Sequence, residues 1–230
     1  MTETLLQIAA LVVPMIIAIV FHEVAHGWVA RALGDPTASA LGRLSLNPLK
    51  HVDPFGTIIL PGALKLAGLP VLGWAKPVPV DKARLRNPRR DMMLVAAAGP
   101  GINFVMAAMG AVVLGLLIGV YKTDPEPGAV ALFFFENLQN FLVINLFLAL
   151  FNLLPIPPFD GSHIVEGMLP APAARAYERI RPIGFPLIIA LVVVLPWLIP
   201  SFNPVQSVLM PPMAWLYSHY YALVTAVAGV

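Results

Sequence analysis

An all-α polytopic membrane protein is the fold class the sequence predicts, with about five to six transmembrane helices and a short membrane-associated β or re-entrant segment after the first. Three observations carry this. Hydrophobic residues make up 59% of the 230, charged residues only 11%, and the mean hydropathy is +0.83, far from the composition of a soluble globular domain. The apolar residues gather in runs long enough for a bilayer core, which needs about 20 residues of helix. The charges fall in short connections between those runs, so the net charge of +2 reads as a topology signal and not as a nucleic-acid surface. With no cysteine, a disulfide framework and a thiolate metal site are both excluded, and any metal must be held by His, Asp or Glu. No repeat or soluble domain interrupts the pattern, and residues 1–230 read as one integral membrane domain.

The first helix is expected from Leu5 to Leu33, kinked at Pro14 and stopped by Gly34, Asp35 and Pro36. Glu3 stands where a secretory signal would carry basic residues, so this segment reads as a retained span. At about 1.5 Å per residue it reaches roughly 43 Å, enough to cross and emerge. From Ala38 to Val80, Gly and Pro recur too often for undisturbed helix. Its apolar part, Phe55 to Leu72, is expected to dip into the membrane without crossing. Four further spans follow, at Met92 to Val120, Val130 to Leu154, Ile183 to Ile199 and Val205 to Val227, the third interrupted by Pro186 and Pro196. Basic residues between Lys76 and Arg90, and again at Arg175, Arg179 and Arg181, place those two connections in the cytoplasm. Tyr121 to Gly128 then lies outside, and the first helix, with Glu3 before it and Arg31 after it, carries its far end to the cytoplasmic face.

That far end reads "VFHEVAHGW", Val20 to Trp28, and places three ionisable groups where a membrane should be. His22 and His26 stand at i and i+4, on one helical face, where both imidazoles can bind one cation. Glu23 points to the side. Two neutral nitrogen ligands beside a carboxylate that can take a proton from water is the arrangement of a zinc metalloprotease. The bland alternative is internal pairing on an amphipathic stretch. It is weakened by the cost of an ionisable residue in a span, about 2.5–3.5 kcal/mol at a helix centre.

A third ligand must come from elsewhere, and Asp35, Asp53, Asp81, Asp91, Asp160 and Glu166 are the acidic candidates at that face. Asp160 is the best placed. It ends "FNLLPIPPFDG", Phe151 to Gly161, in which three prolines forbid regular helix, leave an extended segment that can aim the carboxylate into the bundle, and precede a glycine that permits a tight turn.

"HEVAH", "AAGPGINF" (Ala97 to Phe104) and "FNLLPIPPFDG" together resemble the site-2 protease family of intramembrane zinc metalloproteases, in its compact form without PDZ or CBS domains. The resemblance covers Phe21 to Gly161. It implies a metalloprotease domain with a catalytic core over about 5–165 and C-terminal helices over about 173–227. It also implies one zinc ion on His22, His26 and Asp160, Glu23 as catalytic acid and base, and Asn152 lining the active site. The expected substrate is the transmembrane segment of a membrane protein, cut in regulated intramembrane proteolysis. The expected setting is the lipid bilayer of a bacterial inner membrane, with the site toward the cytoplasm and no nucleic acid involved.

Other residues leave choices open. Asn103 is read as an oxyanion donor or as part of a helix-packing motif, Asn152 as an active-site group or a helix cap. His51 and Asp53 could support or rival the ligands, though an interfacial turn suits them as well. His163 and His219 read as boundary residues. "GWAKPVPV", Gly73 to Val80, with Leu41 to Leu46, is a candidate strand edge for holding an extended substrate, or else a loop stiffened by proline. The rival function is a zinc or proton transporter using the same ligands as a transit site.

Overall fold

A computed structural model describes residues 2–68, 73–122, 127–199 and 201–230, with side chains from Leu5 onward except that of Val205. The side chain of Glu3, the last four residues of the expected re-entrant segment and the middle of the Tyr121 to Gly128 connection lie outside this description. Helix α1 (Thr2–Ala32) runs unbroken through Pro14. A short helix, α2 (Thr37–Ala40), follows the corner at Asp35, and a 3-10 turn covers Pro48–His51. The Asp53 carboxylate caps a π-helical turn, Pro54–Ile59, accepting from the N–H groups of Phe55 and Gly56. This turn runs directly into α3 (Leu60–Leu66). Together the two rise about 20 Å, short of a hydrocarbon core of about 30 Å.

The bundle that α1 opens continues with α4 (Pro88–Tyr121), 34 residues that run through Pro100, and α5 (Ala129–Asn152), both packed on α1. Proline at N1 and the Asp91 carboxylate, which accepts from Asn87 N–H, start α4. After the proline run come α6 (Asp160–Met168), α7 (Ala171–Glu178) and an interrupted rod made of α8 (Arg181–Ile189), a π-helical turn over Ala190–Val194 and α9 (Leu195–Leu198). The interruption has a local cause: Pro196 donates no hydrogen bond and its ring crowds the preceding turn, so the ladder widens just before it. Asn203 caps α10 (Pro204–Ala228), and Gly229, at φ +68°, supplies the left-handed residue that ends it.

Among the described residues, four helical stretches are long and apolar enough to cross a membrane: Leu5–Ala32, Pro88–Tyr121, Ala129–Asn152 and Arg181–Leu198. The fifth expected span, α10, forms a 25-residue helix outside that set; it carries Pro211, Pro212, Ser218, His219 and three tyrosines. It packs on α4 and α5. Ala107, Ala111 and Leu114 of α4, Leu142 and Leu146 of α5 and Val224 of α10 form the main core. Small residues let the backbones close: a Cβ on Gly115 would come within 2.6 Å of the Val224 carbonyl oxygen. Outward-facing leucine, isoleucine and valine along α1 and α4, such as Leu5, Ile8, Leu116 and Val120, leave apolar flanks suited to lipid.

No strand forms among the described residues, which corrects the expectation of a β segment. The expected edge at Gly73 to Val80 has no regular secondary structure, and several of its backbone groups are used elsewhere. Trp74 N–H donates to the Gly56 carbonyl, Lys76 N–H to the His51 carbonyl, and the Arg43 guanidinium donates to the carbonyls of Lys76 and Pro77. Pro77 and Pro79 have no N–H to give a ladder.

Candidate metal centre

The bundle is antiparallel at α1 and α4, so the far end of α1 meets the near end of α4, where Arg86 N–H donates to the Leu33 carbonyl. Val95, Gly99 and Asn103 recur every four residues on α4 and present one face to His22 and His26. Gly99 lies eleven residues into α4, about 16 Å from its start.

Each histidine is fixed through Nδ1. His22 Nδ1 is 2.6 Å from Asn103 Oδ1, and His26 Nδ1 is 2.7 Å from the Val95 carbonyl oxygen. Asn103 is oriented by its own amide group, which donates to the Ala18 carbonyl at 3.3 Å and to Asn145 Oδ1 at 2.8 Å. Asn145 in turn donates to the Phe141 carbonyl. Since oxygen acceptors face both Nδ1 atoms, the proton of each neutral ring sits there, and both Nε2 atoms present lone pairs.

Those lone pairs face each other. The two Nε2 atoms are 3.1 Å apart, and Asp160 Oδ2 lies 3.1 Å from His22 Nε2 and 3.4 Å from His26 Nε2. Asp160 Oδ2 is buried and accepts no hydrogen bond. Three acceptors crowded without a proton between them repel, and a cation at their centre reverses the sign. The spacing fits one: ligands about 2.0–2.1 Å from a tetrahedral ion are about 3.3–3.4 Å from each other. Among the described residues this is the one group of three or more His, Asp or Glu side chains with such spacing. Gly99 leaves the space beside it, because a Cβ there would stand 2.5 Å from His26 Nε2 and 2.6 Å from His22 Nε2.

Glu23 stays out of the triangle, as its position on α1 requires. Its Oε2 accepts from Val78 N–H at 2.7 Å. Flanked by Pro77 and Pro79, Val78 carries the single N–H of that three-residue stretch, and it is spent on Glu23. Gly27 admits this contact, since a side chain there would collide with Val78 and Leu44. Asp160 is the first residue of α6; irregular turns precede it, and Gly161 is helical with ordinary φ, serving to let α6 approach the Leu153 carbonyl and not to make a turn.

Other expectations fare differently. Asn103 turns its carbonyl to His22 and spends both N–H groups on the Ala18 carbonyl and Asn145 Oδ1, while Gly99 gives the close packing against the first span that the alternative expected, from inside α4 and not at its start. Asn152 ends α5 with its amide donating to the Leu148 carbonyl on its own helix. His51 pairs with the Ser45 carbonyl, and Asp53 caps its turn, so neither joins the triangle. His163 Nδ1 lies 3.8 Å from Glu166, and His219 Nδ1 lies 2.7 Å from the Trp215 carbonyl. The positioning parts missed were Asn145 and the Val95 carbonyl. The four-residue spacing of Val95, Gly99 and Asn103 was the available signal.

A helical membrane bundle with a buried His, His, Asp triangle and a neighbouring glutamate is the framework of a metallopeptidase. The chain belongs to peptidase family M50, the site-2 protease family, whose model matches residues 10–132 and 111–195. It is 42% identical to YwhC of Bacillus subtilis (strain 168) over 170 residues, 72% of this chain and 71% of that protein. It is 27% identical to Rip2 of Mycolicibacterium smegmatis over 179 residues, 77% of this chain and 64% of that one. It is also 34% identical to MJ0611 of Methanocaldococcus jannaschii over 151 residues, 64% of each. All three relatives are provisionally named zinc metalloproteases. No solved structure matches the chain.

Proposed function

We propose that the chain is an intramembrane zinc metalloendopeptidase that hydrolyses a peptide bond within or next to a transmembrane segment of a membrane protein substrate. The observation that carries this reading is the triangle of His22 Nε2, His26 Nε2 and Asp160 Oδ2 with Glu23 beside it. These three residues would hold one zinc ion per chain, which supplies polarisation of the scissile carbonyl and activation of water at neutral pH. Glu23 takes the proton from water and delivers it to the leaving amine, using the carboxylate oxygen that Val78 N–H does not hold. Asn152, whose amide has a second N–H beyond the one given to the Leu148 carbonyl, would steady the substrate carbonyl or backbone.

Carbonyls inside a substrate helix are already hydrogen-bonded, so the segment must unwind before it is cut. The basic residues near Lys82 to Arg90 support a site opening toward the cytoplasmic face of a bacterial inner membrane. The helix over Pro54–Leu66, too short to span, supports a re-entrant segment on that side. A transporter fits less well: the buried amides of Asn103 and Asn145, and that of Asn140, which donates to the Ala10 carbonyl, are each engaged with a neighbour and not free to pass an ion along.

The test is metal removal. Protein reconstituted in vesicles with single-span substrates should lose cleavage after treatment with a strong zinc chelator, and one equivalent of zinc should restore it. Cleavage that persists at full rate in metal-free protein would overturn the proposal.

A further inference from the structure

Six residues after Asp160, α6 carries a second acid that the site does not use. Glu166 is 6% exposed, yet it is charged and paired. Lys82 Nζ lies 2.8 Å from its Oε1, the Arg181 guanidinium donates to its Oε2, and Arg89 donates from Nε and Nη2 to its backbone carbonyl at 3.3 and 3.2 Å. Lys82 precedes α4, Arg89 lies in the first turn of α4, and Arg181 opens α8. Two separate parts of the chain, the entry to α4 and the start of α8, therefore converge on one residue.

The helix they hold is one that cannot hold itself. With nine residues, two of them glycine, α6 is below the length at which an isolated helix is stable. Its packing is close at both ends: Gly161 lies on the Leu153 carbonyl, and a Cβ on Gly167 would come within 2.7 Å of the Met93 Cβ. Such packing fixes distance but leaves a short rod free to slide or roll. The ion pairs at Glu166 act about 9 Å along the axis from Asp160 and fix the remaining freedom. Burial pushes the Glu166 carboxyl up, and Lys82 and Arg181 outweigh this, holding it below the usual carboxylate range.

We propose that Glu166 is a positioning residue, whose carboxylate through Lys82 and Arg181 sets the pose of α6, already tied to α4 by Arg89 at the backbone carbonyl, and so brings Asp160 within reach of His22 and His26. The proposal rests on the zinc reading above.

The experiment compares parent and Glu166→Gln in detergent by competition with a chelator of known zinc affinity, alongside helix content and thermal midpoint. Glu166→Gln keeps the size of the side chain and removes its charge. Zinc affinity should fall about 10- to 100-fold, the usual consequence of losing a residue that orients a ligand, while helix content is retained. Cleavage at saturating zinc should recover toward the parent rate, with KM for the substrate unchanged. Arg181→Gln and Lys82→Gln, each of which leaves one partner in place, should move zinc affinity in the same direction by less, and they decide the matter if Glu166→Gln does not fold. Parent-like zinc affinity in folded variants would overturn the proposal. A parent that binds no zinc at all would overturn the zinc reading beneath it, which is a different result.

Discussion

Glu23→Gln is expected to lower cleavage about 10²- to 10⁴-fold, the usual worth of a general acid and base, while bound zinc stays near one per chain. The two halves of that result come from different atoms. Glutamine has the shape of glutamate, and its carbonyl oxygen can accept from Val78 N–H as Oε2 does. The segment around Val78 therefore keeps its tie to α1. Glu23 contributes no atom to the metal triangle, so His22, His26 and Asp160 keep their spacing. What glutamine cannot do is take a proton from water and return it to the amine. The measurement is cleavage of a single-span substrate in vesicles with zinc content determined on the same samples. Loss of both activity and zinc would mean that Glu23 holds the site together, and unchanged cleavage would mean that another group is the base.

Gly99→Ala is expected to do the reverse and remove the metal first. The added methyl would stand 2.5 Å from His26 Nε2 and 2.6 Å from both Nε2 and Cε1 of His22, inside the contact distance of any carbon. Neither ring can yield freely. His22 is held by Asn103 and His26 by the Val95 carbonyl, so relief means breaking a hydrogen bond or moving α1 away from α4. Overpacking of this kind costs about 1–3 kcal/mol, and every 1.4 kcal/mol is tenfold in binding, so zinc affinity should fall by about 10- to 100-fold. Isothermal titration or chelator competition checks it. A variant with parent-like zinc affinity would show that α4 does not pack against the ligands as described. Gly101, two residues on, has open space at its Cβ position, and alanine there serves as the control.

Much of this site was legible in the sequence because the chemistry is written in local spacing. The i, i+4 histidines and the intervening glutamate need only one helical turn to meet, and the proline run before Asp160 marks a broken segment regardless of its surroundings. The helices followed from long apolar runs, and their ends moved by only a few residues: Met92 to Val120 became Pro88–Tyr121, and Val130 to Leu154 became Ala129–Asn152.

What escaped depends on contacts between distant segments. Asn103 reaches His22 across 81 positions and Val78 reaches Glu23 across 55, and no local pattern encodes either pairing. The expected β edge failed for a related reason. Alternation and extended propensity were present at Gly73 to Val80, but a strand also needs a partner with free N–H and carbonyl groups, and side chains and helix ends had taken those of this segment. Glu166 appeared in the sequence as one ligand candidate among six. Its real neighbours, Lys82 and Arg181, come from opposite sides of it along the chain.

The central claim, that one zinc ion sits between His22, His26 and Asp160, is tested most directly by X-ray absorption at the zinc edge on purified protein, with Asp160→Asn measured beside it. The parent should show two imidazole nitrogens and a carboxylate oxygen at about 2.0–2.2 Å, and the variant should lose that oxygen or the metal. A parent spectrum without two imidazoles in the first coordination sphere, or one unchanged by Asp160→Asn, would contradict it.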